Sequence, residues 1–172
     1  IVVVDGKEAW VGGHNVGDEY MGRDPDFGRW RDTHVRIKGP AALALQLSFV
    51  EDWHWATGDT PGVSWIPQPA EGADLPILIV PSGPADERET ATLMFTQVIN
   101  SARERVWIAS PYFVPDQGVM NALRLAALRG VDVRILIPDE PDHMLVYLAA
   151  FHFYEEMKDS GITFYRYTDG FM

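Results

Sequence analysis

From residue 86 onward the sequence alternates short apolar runs with helical stretches, and a cap or a glycine marks most changes of period. Met94, Val98 and Ala102 recur at helical spacing, which predicts a helix from about 87 to 104. "RVWIAS" then reads as a buried strand running into "PYFVPD". Asp116 suits the N-cap of a helix reaching Arg129, and Gly130 suits its stop. "VDVRILIP" is a strand, Pro141 begins a helix that Gly161 ends, and "ITFYRY" is the last strand. Strands separated by helices of this length need crossovers, which favours a largely parallel sheet covered by helices and an α/β class.

The first half is less regular. "IVVVDGKEAWVGG" places an Asp-Gly turn between two apolar runs, the pattern of a β-hairpin. "MGRDPDFGRW" has the Gly, Pro and Asp content of a loop. In "RDTHVRIKG", Val35 and Ile37 alternate with Asp32, His34 and Arg36, so Asp32 and His34 are expected on one face of a strand. Pro40 opens a helix over roughly 40 to 55 with Leu43, Leu47 and Val50 at helical spacing. Ala56 to Asp74 reads as a long loop, and Leu75 to Val80 as a short apolar strand closing on Ser82-Gly83-Pro84.

Composition narrows the functional classes. A net charge of −11 argues against a broad nucleic-acid footprint, which requires clustered Lys and Arg, so no nucleic-acid partner is expected. The chain has no cysteine, which removes disulfides and thiolate metal sites. His14, His54, His143 and His152 lack a ligand spacing, and no metal is expected. No apolar run reaches the length of a spanning helix.

"D-G-K-E-A-W-V-G-G-H-N" resembles the second half of the phospholipase D signature, in which His-x-Lys is followed by four residues, an Asp, six residues, Gly-Gly and, shortly after, an Asn. Asp5, Gly12, Gly13 and Asn15 match that spacing. "NVGDEYMGRD", "WRDTHVRIKGPA", "FVEDWHWATG", "SGP", "PYFVPD", "LAALRGVDVRILIP" and "YRYTDGFM" are similar, in order, to bacterial cardiolipin synthases. The resemblance implies a phospholipase D-like fold: a mixed, largely parallel sheet flanked by helices, with residues 1–80 the C-terminal part of a first repeat and 81–172 the N-terminal part of a second. It further implies an interior stretch lying between the family's two His-x-Lys elements, inactive on its own.

In that family a phosphatidyl group passes between two phosphatidylglycerol molecules through a phosphohistidine, glycerol is released, and no cofactor takes part. The resemblance therefore implies phosphatidylglycerol or another anionic phospholipid as substrate. It also implies contact with the membrane surface through the longer protein, and a bacterial inner-membrane location through anchor segments outside this sequence. A phospholipase D-type hydrolase shares the same phosphoenzyme and stays open. So does a non-catalytic module that self-associates through exposed strands.

Carried onto this sequence, the family's phosphate-binding amide falls on Asn15, whose carboxamide can donate to a phosphoryl oxygen; an Asn after Gly-Gly also suits a turn. Asp5 matches the signature's acid yet also fits an ordinary hairpin turn, and Gly12 and Gly13 permit close backbone approach. Asp32 resembles the acid that orients the first catalytic His, or it is a solvated strand edge, and His34 shares its face. Tyr112 and Phe113, with Ser82 and Ser110, line an acyl or glycerol pocket or else anchor a loop. Trp53, Trp55 and Trp65 suit either a membrane interface or packing on the sheet.

Overall fold

The computed structural model describes residues 1–72, 75–84, 86–140 and 144–172. The end of the long loop at Asp74, the predicted helix start at Pro141, and His143 lie outside the described residues. The chain divides into two compact units, one of residues 1–15 and 32–81, the other of residues 16–31 and 82–172.

The first unit is a three-stranded antiparallel sheet with one helix. Strands β1 (Val2–Val4) and β2 (Glu8–Gly12) form the expected hairpin. Asp5 and Gly6 both sit at positive φ, 54° and 65°, and the Lys7 N–H closes the turn on the Val4 carbonyl at 3.0 Å. A mirror-image turn of this kind matches strand twist, which is why Asp-Gly supports it. Strand β3 (His34–Lys38) pairs antiparallel with β2, setting Gly12 opposite His34 and Glu8 opposite Lys38. The ladder ends there, so Asp32 and Thr33 precede the strand, a correction to the shared strand face expected for Asp32 and His34.

Helix α1 (Ala42–Thr57) follows Pro40 and stops at Gly58, whose φ of 76° lets its N–H reach the His54 carbonyl at 2.8 Å. Its buried face is Ala42, Leu45, Gln46 and Val50, whereas the expected stripe leaves Leu47 exposed. The turn of the helix is set by what Ala9 and Ile37 offer across it. Those two residues join Ala42 and Leu45 in a small core, flanked by Val3, Val11 and Ile79. Leu75 to Val80 is not a strand: among the described residues none pairs with it in a backbone ladder, and of its side chains Ile79 packs on the core.

The second unit is built on a parallel sheet in the order β4 (Arg105–Ala109), β5 (Asp132–Pro138), β6 (Thr163–Tyr167). Helix α2 (Thr90–Ser101) is shorter than expected, and it turns Ile99 rather than Val98 into the core. Helix α3 (Gln117–Leu128) starts as predicted, with the Asp116 carboxylate accepting the Val119 N–H at 3.0 Å. It ends at Gly130, whose φ of 85° reverses the chain. Helix α4 (Met144–Met157) runs through one 3₁₀ turn to Gly161. Ile99, Met120, Leu123, Ala126, Ile135 and Met157 belong to its continuous core.

Strand β4 is not buried as the sequence suggested. Among the described residues it has a strand neighbour on one side only, and Trp107 is 60% exposed. The Trp107 indole donates to Asp132 at 3.1 Å while the Arg105 and Arg134 guanidiniums lie over its ring at 5.3 and 5.1 Å. The loop of residues 16–31 is held in this unit by an aromatic cluster in which the Trp30 and Phe171 ring centroids stand 4.5 Å apart. The Arg31 N–H donates to the Phe171 carbonyl at 2.8 Å, and the Phe171 N–H donates to the Arg29 carbonyl at 2.9 Å.

Candidate functional site

Four of the expected site residues, Gly12, Gly13, Asp32 and His34, gather where β2 leaves the sheet of the first unit. Gly12 is required there by close approach: an added Cβ would stand 2.4 Å from the Thr33 carbonyl and 2.6 Å from the His34 Cα. Gly13 leaves room for an acid instead of backbone. A Cβ at that position would lie 2.8 Å from one Asp32 carboxylate oxygen and 2.9 Å from the other. The two glycines therefore bring Asp32 and His34 against the β2 terminus, and Asn15 follows directly. Asp32 is half-buried and accepts the Thr33 backbone N–H at 2.6 Å, which orients one carboxylate oxygen.

His14, set aside in the sequence reading, belongs to this cluster. Its ring stands edge-on to His34 with centroids 6.3 Å apart. The signal that would have found it is the strand register: with Gly12 opposite His34, the residues just beyond the ladder face one another. Asp5 is elsewhere, in the turn at the opposite end of β2. There it lines a cavity of about 480 Å³ with Val3, Lys7, Phe49 and Ser64, walled by a buried Gln46 that donates to the Ser64 carbonyl at 2.7 Å.

In the second unit Ser110, Tyr112 and Phe113 do line one groove, of about 480 Å³. Its walls are apolar, from Phe95, Val98, Ile99 and Val106 on one side to Phe113 and Val119 on the other. Phe113 is buried and packs edge-on to Phe164, while Tyr112 is exposed at the mouth. The polar end is Asp116, whose carboxylate also accepts the Thr92 hydroxyl at 2.6 Å. That hydroxyl, and after it the Val119 N–H, hold the Asp116 carboxyl below its ordinary pKa. Ser82 is not in this groove and lines a separate hollow with Arg88, Thr90 and Thr92.

Such an arrangement offers two imidazoles near an oriented carboxylate in one unit, and an apolar groove that Ser110 and Tyr112 also line in the other. Residues 95–172 match the family described as cardiolipin synthase, PLD-like domain. Over the whole chain the sequence is 54% identical to Cardiolipin synthase A of Pseudomonas aeruginosa (strain LESB58), covering 35% of that protein. It is 52% identical to Cardiolipin synthase A of Pseudomonas putida (strain GB-1), covering 36% of it. The chain thus spans about a third of the length of the curated relatives it matches. Both alignments run the full length of the chain, across both units, and the family match runs from residue 95, inside α2, to residue 172, so the similarity to PLD-like cardiolipin synthases extends over the whole chain.

Proposed function

We propose that this chain supplies binding elements for a phosphatidyl transfer in which two phosphatidylglycerol molecules give cardiolipin and glycerol through a phosphohistidine. Asn15 holds a phosphoryl oxygen, Gly12 and Gly13 let the phosphodiester approach the backbone, and Asp32 orients an attacking imidazole. The observation that carries the reading is the convergence of Gly12, Gly13, Asp32 and His34 at the point where Asn15 leaves β2. An amide donor beside an oriented carboxylate is what a metal-free phosphoryl cradle needs. Asp5 acts through the turn it makes.

The apolar groove beside Tyr112 and Phe113 receives an acyl chain of the substrate, with Ser110 at the headgroup end; Ser82 makes a separate polar contact. Residues 1–80 and 81–172 form parts of two successive repeats. Neither unit contains a His-x-Lys sequence, so the chain by itself is expected to be inactive. No described helix is long and apolar enough to cross a membrane. The exposed Trp53, Trp55 and Trp65 support contact with the surface of the bacterial inner membrane.

The test is a chimera in which this chain replaces the matched stretch of the Pseudomonas aeruginosa Cardiolipin synthase A. Supplied with phosphatidylglycerol vesicles, it should form cardiolipin and free glycerol, and Asn15→Ala or Asp32→Asn should lower the rate about a hundredfold or more. Release of phosphatidic acid without cardiolipin would favour hydrolysis. A folded chimera indifferent to both substitutions would overturn the assignment. Self-association is favoured by one observation: β4, at the open edge of the parallel sheet, exposes Trp107. Light scattering showing only monomer would remove it.

A further inference from the structure

We propose that the cavity beside the Asp5 turn binds a short zwitterion, a molecule carrying an ammonium and an anionic group on one small carbon stem, with Asp5 and Lys7 as its charged contacts. The inference is independent of the phosphoryl cradle, which is proposed at the other end of β2. It starts from Gln46, which is 4% exposed and stands in the wall of the cavity. The Gln46 Nε2 donates to the Ser64 carbonyl at 2.7 Å, whereas no described residue donates to its Oε1. Among the described residues no sealed side-chain oxygen or nitrogen lacks a partner, so that oxygen opens on accessible space, and the space Gln46 borders is the cavity. A deeply set amide acceptor costs stability unless a donor from outside meets it.

Three segments make the cavity, and local packing holds them together. Gly6, between the two charged residues, presses the turn onto α1 and the loop that follows the helix. A Cβ added there would stand 3.0 Å from the Leu43 Cδ2, 3.1 Å from the Ser64 carbonyl and 3.2 Å from the Gln46 Oε1. The bond from Gln46 to Ser64 then ties residues 62–68 to the helix. Val3, Phe49 and Val63 add apolar surface beside the polar groups, which suits a carbon stem. About 480 Å³ is ample for a small ligand with bound water.

The charges select the ligand. Glu8, next to Lys7 in the chain, is engaged by Arg36 at 2.6 Å and by Lys38 at 3.4 Å. Asp5 and Lys7 both line the cavity, yet among the described residues neither makes an ion pair, with the other or with a neighbour. A simple anion would face Asp5, a simple cation would face Lys7, and a neutral polyol would match neither. A zwitterion meets both. Its ammonium donates to the Asp5 carboxylate and the Gln46 Oε1, and its carboxylate or phosphate accepts from the Lys7 ammonium and the Ser64 hydroxyl. Free amino acids and phosphoethanolamine headgroups share this chemistry.

NMR titration of this chain tests the site, with β-alanine and phosphoethanolamine as the zwitterions and ethanolamine, acetate, inorganic phosphate and glycerol as controls. A zwitterion should shift the Gln46 side-chain NH2 signals and the Lys7 and Ser64 amides, leave the Gly12 and Gly13 amides in place, and bind at least about threefold more tightly than any control. Asp5→Asn keeps a residue that tolerates the positive φ of 54° at this position. That variant and Lys7→Gln should each weaken zwitterion binding roughly three- to tenfold, to the level of the controls. Tighter binding of β-alanine would uphold the site with a carboxylate ligand, and tighter binding of phosphoethanolamine would uphold it with a phosphate. Zwitterions that bind no better than acetate or ethanolamine, or that bind both variants as well as the unsubstituted chain, overturn the proposal. So do Gln46 signals that no compound moves, which would leave the cavity to water. The unshifted remainder of each amide spectrum reports that the variant is folded.

Discussion

The two units solve the same problem with very different amounts of buried material. Among the described residues, twelve buried ones in the second unit make one core between the parallel sheet and its helices; in the first, four, two of them alanines, carry the packing under an antiparallel sheet. A fully buried Leu or Ile contributes on the order of 1.5–3 kcal/mol, so the difference in core stabilisation is large. The proposed phosphoryl cradle nevertheless lies in the lightly packed unit, where two glycines and a strand register hold its residues. The heavily packed unit offers instead an apolar groove, whose walls are an extension of its core. Stability and polar chemistry are therefore carried by different residues, and mutations should separate them.

The largest expected effect falls in the second unit. Leu123 is fully buried among Met120, Ile135 and Met157, and Leu123→Ala should destabilise that unit by about 3–5 kcal/mol, read from urea unfolding. Leu45→Ala in the first unit should cost about 2 kcal/mol, at the low end, because Ala9 and Ala42 leave room for the site to collapse. Equal losses would break the comparison.

Next comes the residue that joins fold to site. Gly12→Ala places a methyl against the backbone of Thr33 and His34, which no side-chain rotation relieves. It should cost about 1–3 kcal/mol and weaken dimethyl phosphate binding along with stability. A binding loss with unfolding unchanged would mean the β2 terminus yields without disturbing the sheet, and the small core would then be less limiting than its size suggests.

Much of this was legible in the sequence wherever a local rule has no competitor. Asp116 and Gly130 delimit α3 as their chemistry requires, and Asp5-Gly6 makes the hairpin turn. Periodicity located α1 and α2, yet it chose Leu47 and Val98 for burial where tertiary packing took Leu45 and Ile99. Leu75 to Val80 has strand composition, but a strand exists only when a neighbour completes its ladder, and composition cannot supply one. At the candidate site, Gly12, Gly13 and Asn15 were named from the resemblance to the phospholipase D signature, and Asp32 from its resemblance to the acid that orients the first His of that family. His14 was missed because its partner lies twenty residues further along the chain, and only the register of β2 on β3 brings them together.

Asp116 sharpens the comparison in pH. Asp116→Ala removes the acceptor for the Val119 N–H and the Thr92 hydroxyl, and should cost the second unit about 0.5–2 kcal/mol near neutral pH. The folded carboxyl has a lowered pKa, chiefly through Thr92, so its contribution is complete above the ordinary aspartate value of about 3.9. It is lost as pH falls through the lower folded value. The gap between wild type and Asp116→Ala should therefore narrow on acidification below about pH 4. A constant gap would assign the effect to helix propensity instead of the carboxylate.

The smallest effect is expected on the outer face of the first unit. Arg36 donates twice to one Glu8 oxygen, at 3.1 and 2.6 Å, and Lys38 approaches the other at 3.4 Å. The Arg36 hydrogen bonds come first in holding the Glu8 carboxyl below its usual pKa, so this pairing is present above the ordinary glutamate range and lost as pH falls through the lowered value. All three groups remain in contact with water, where salt screens them and free rotamers oppose the pairing. Glu8→Gln should leave the unfolding midpoint nearly unchanged at neutral pH, and added salt should erase what difference remains. Arg36 keeps its place over Trp10 in that variant, since the ring contact does not depend on the carboxylate. A loss approaching that of Leu45→Ala would mean the exposed charge ladder, rather than four buried side chains, holds the sheet on which Asn15 and Asp32 depend, and the cradle would then be tuned by ionic strength as much as by packing.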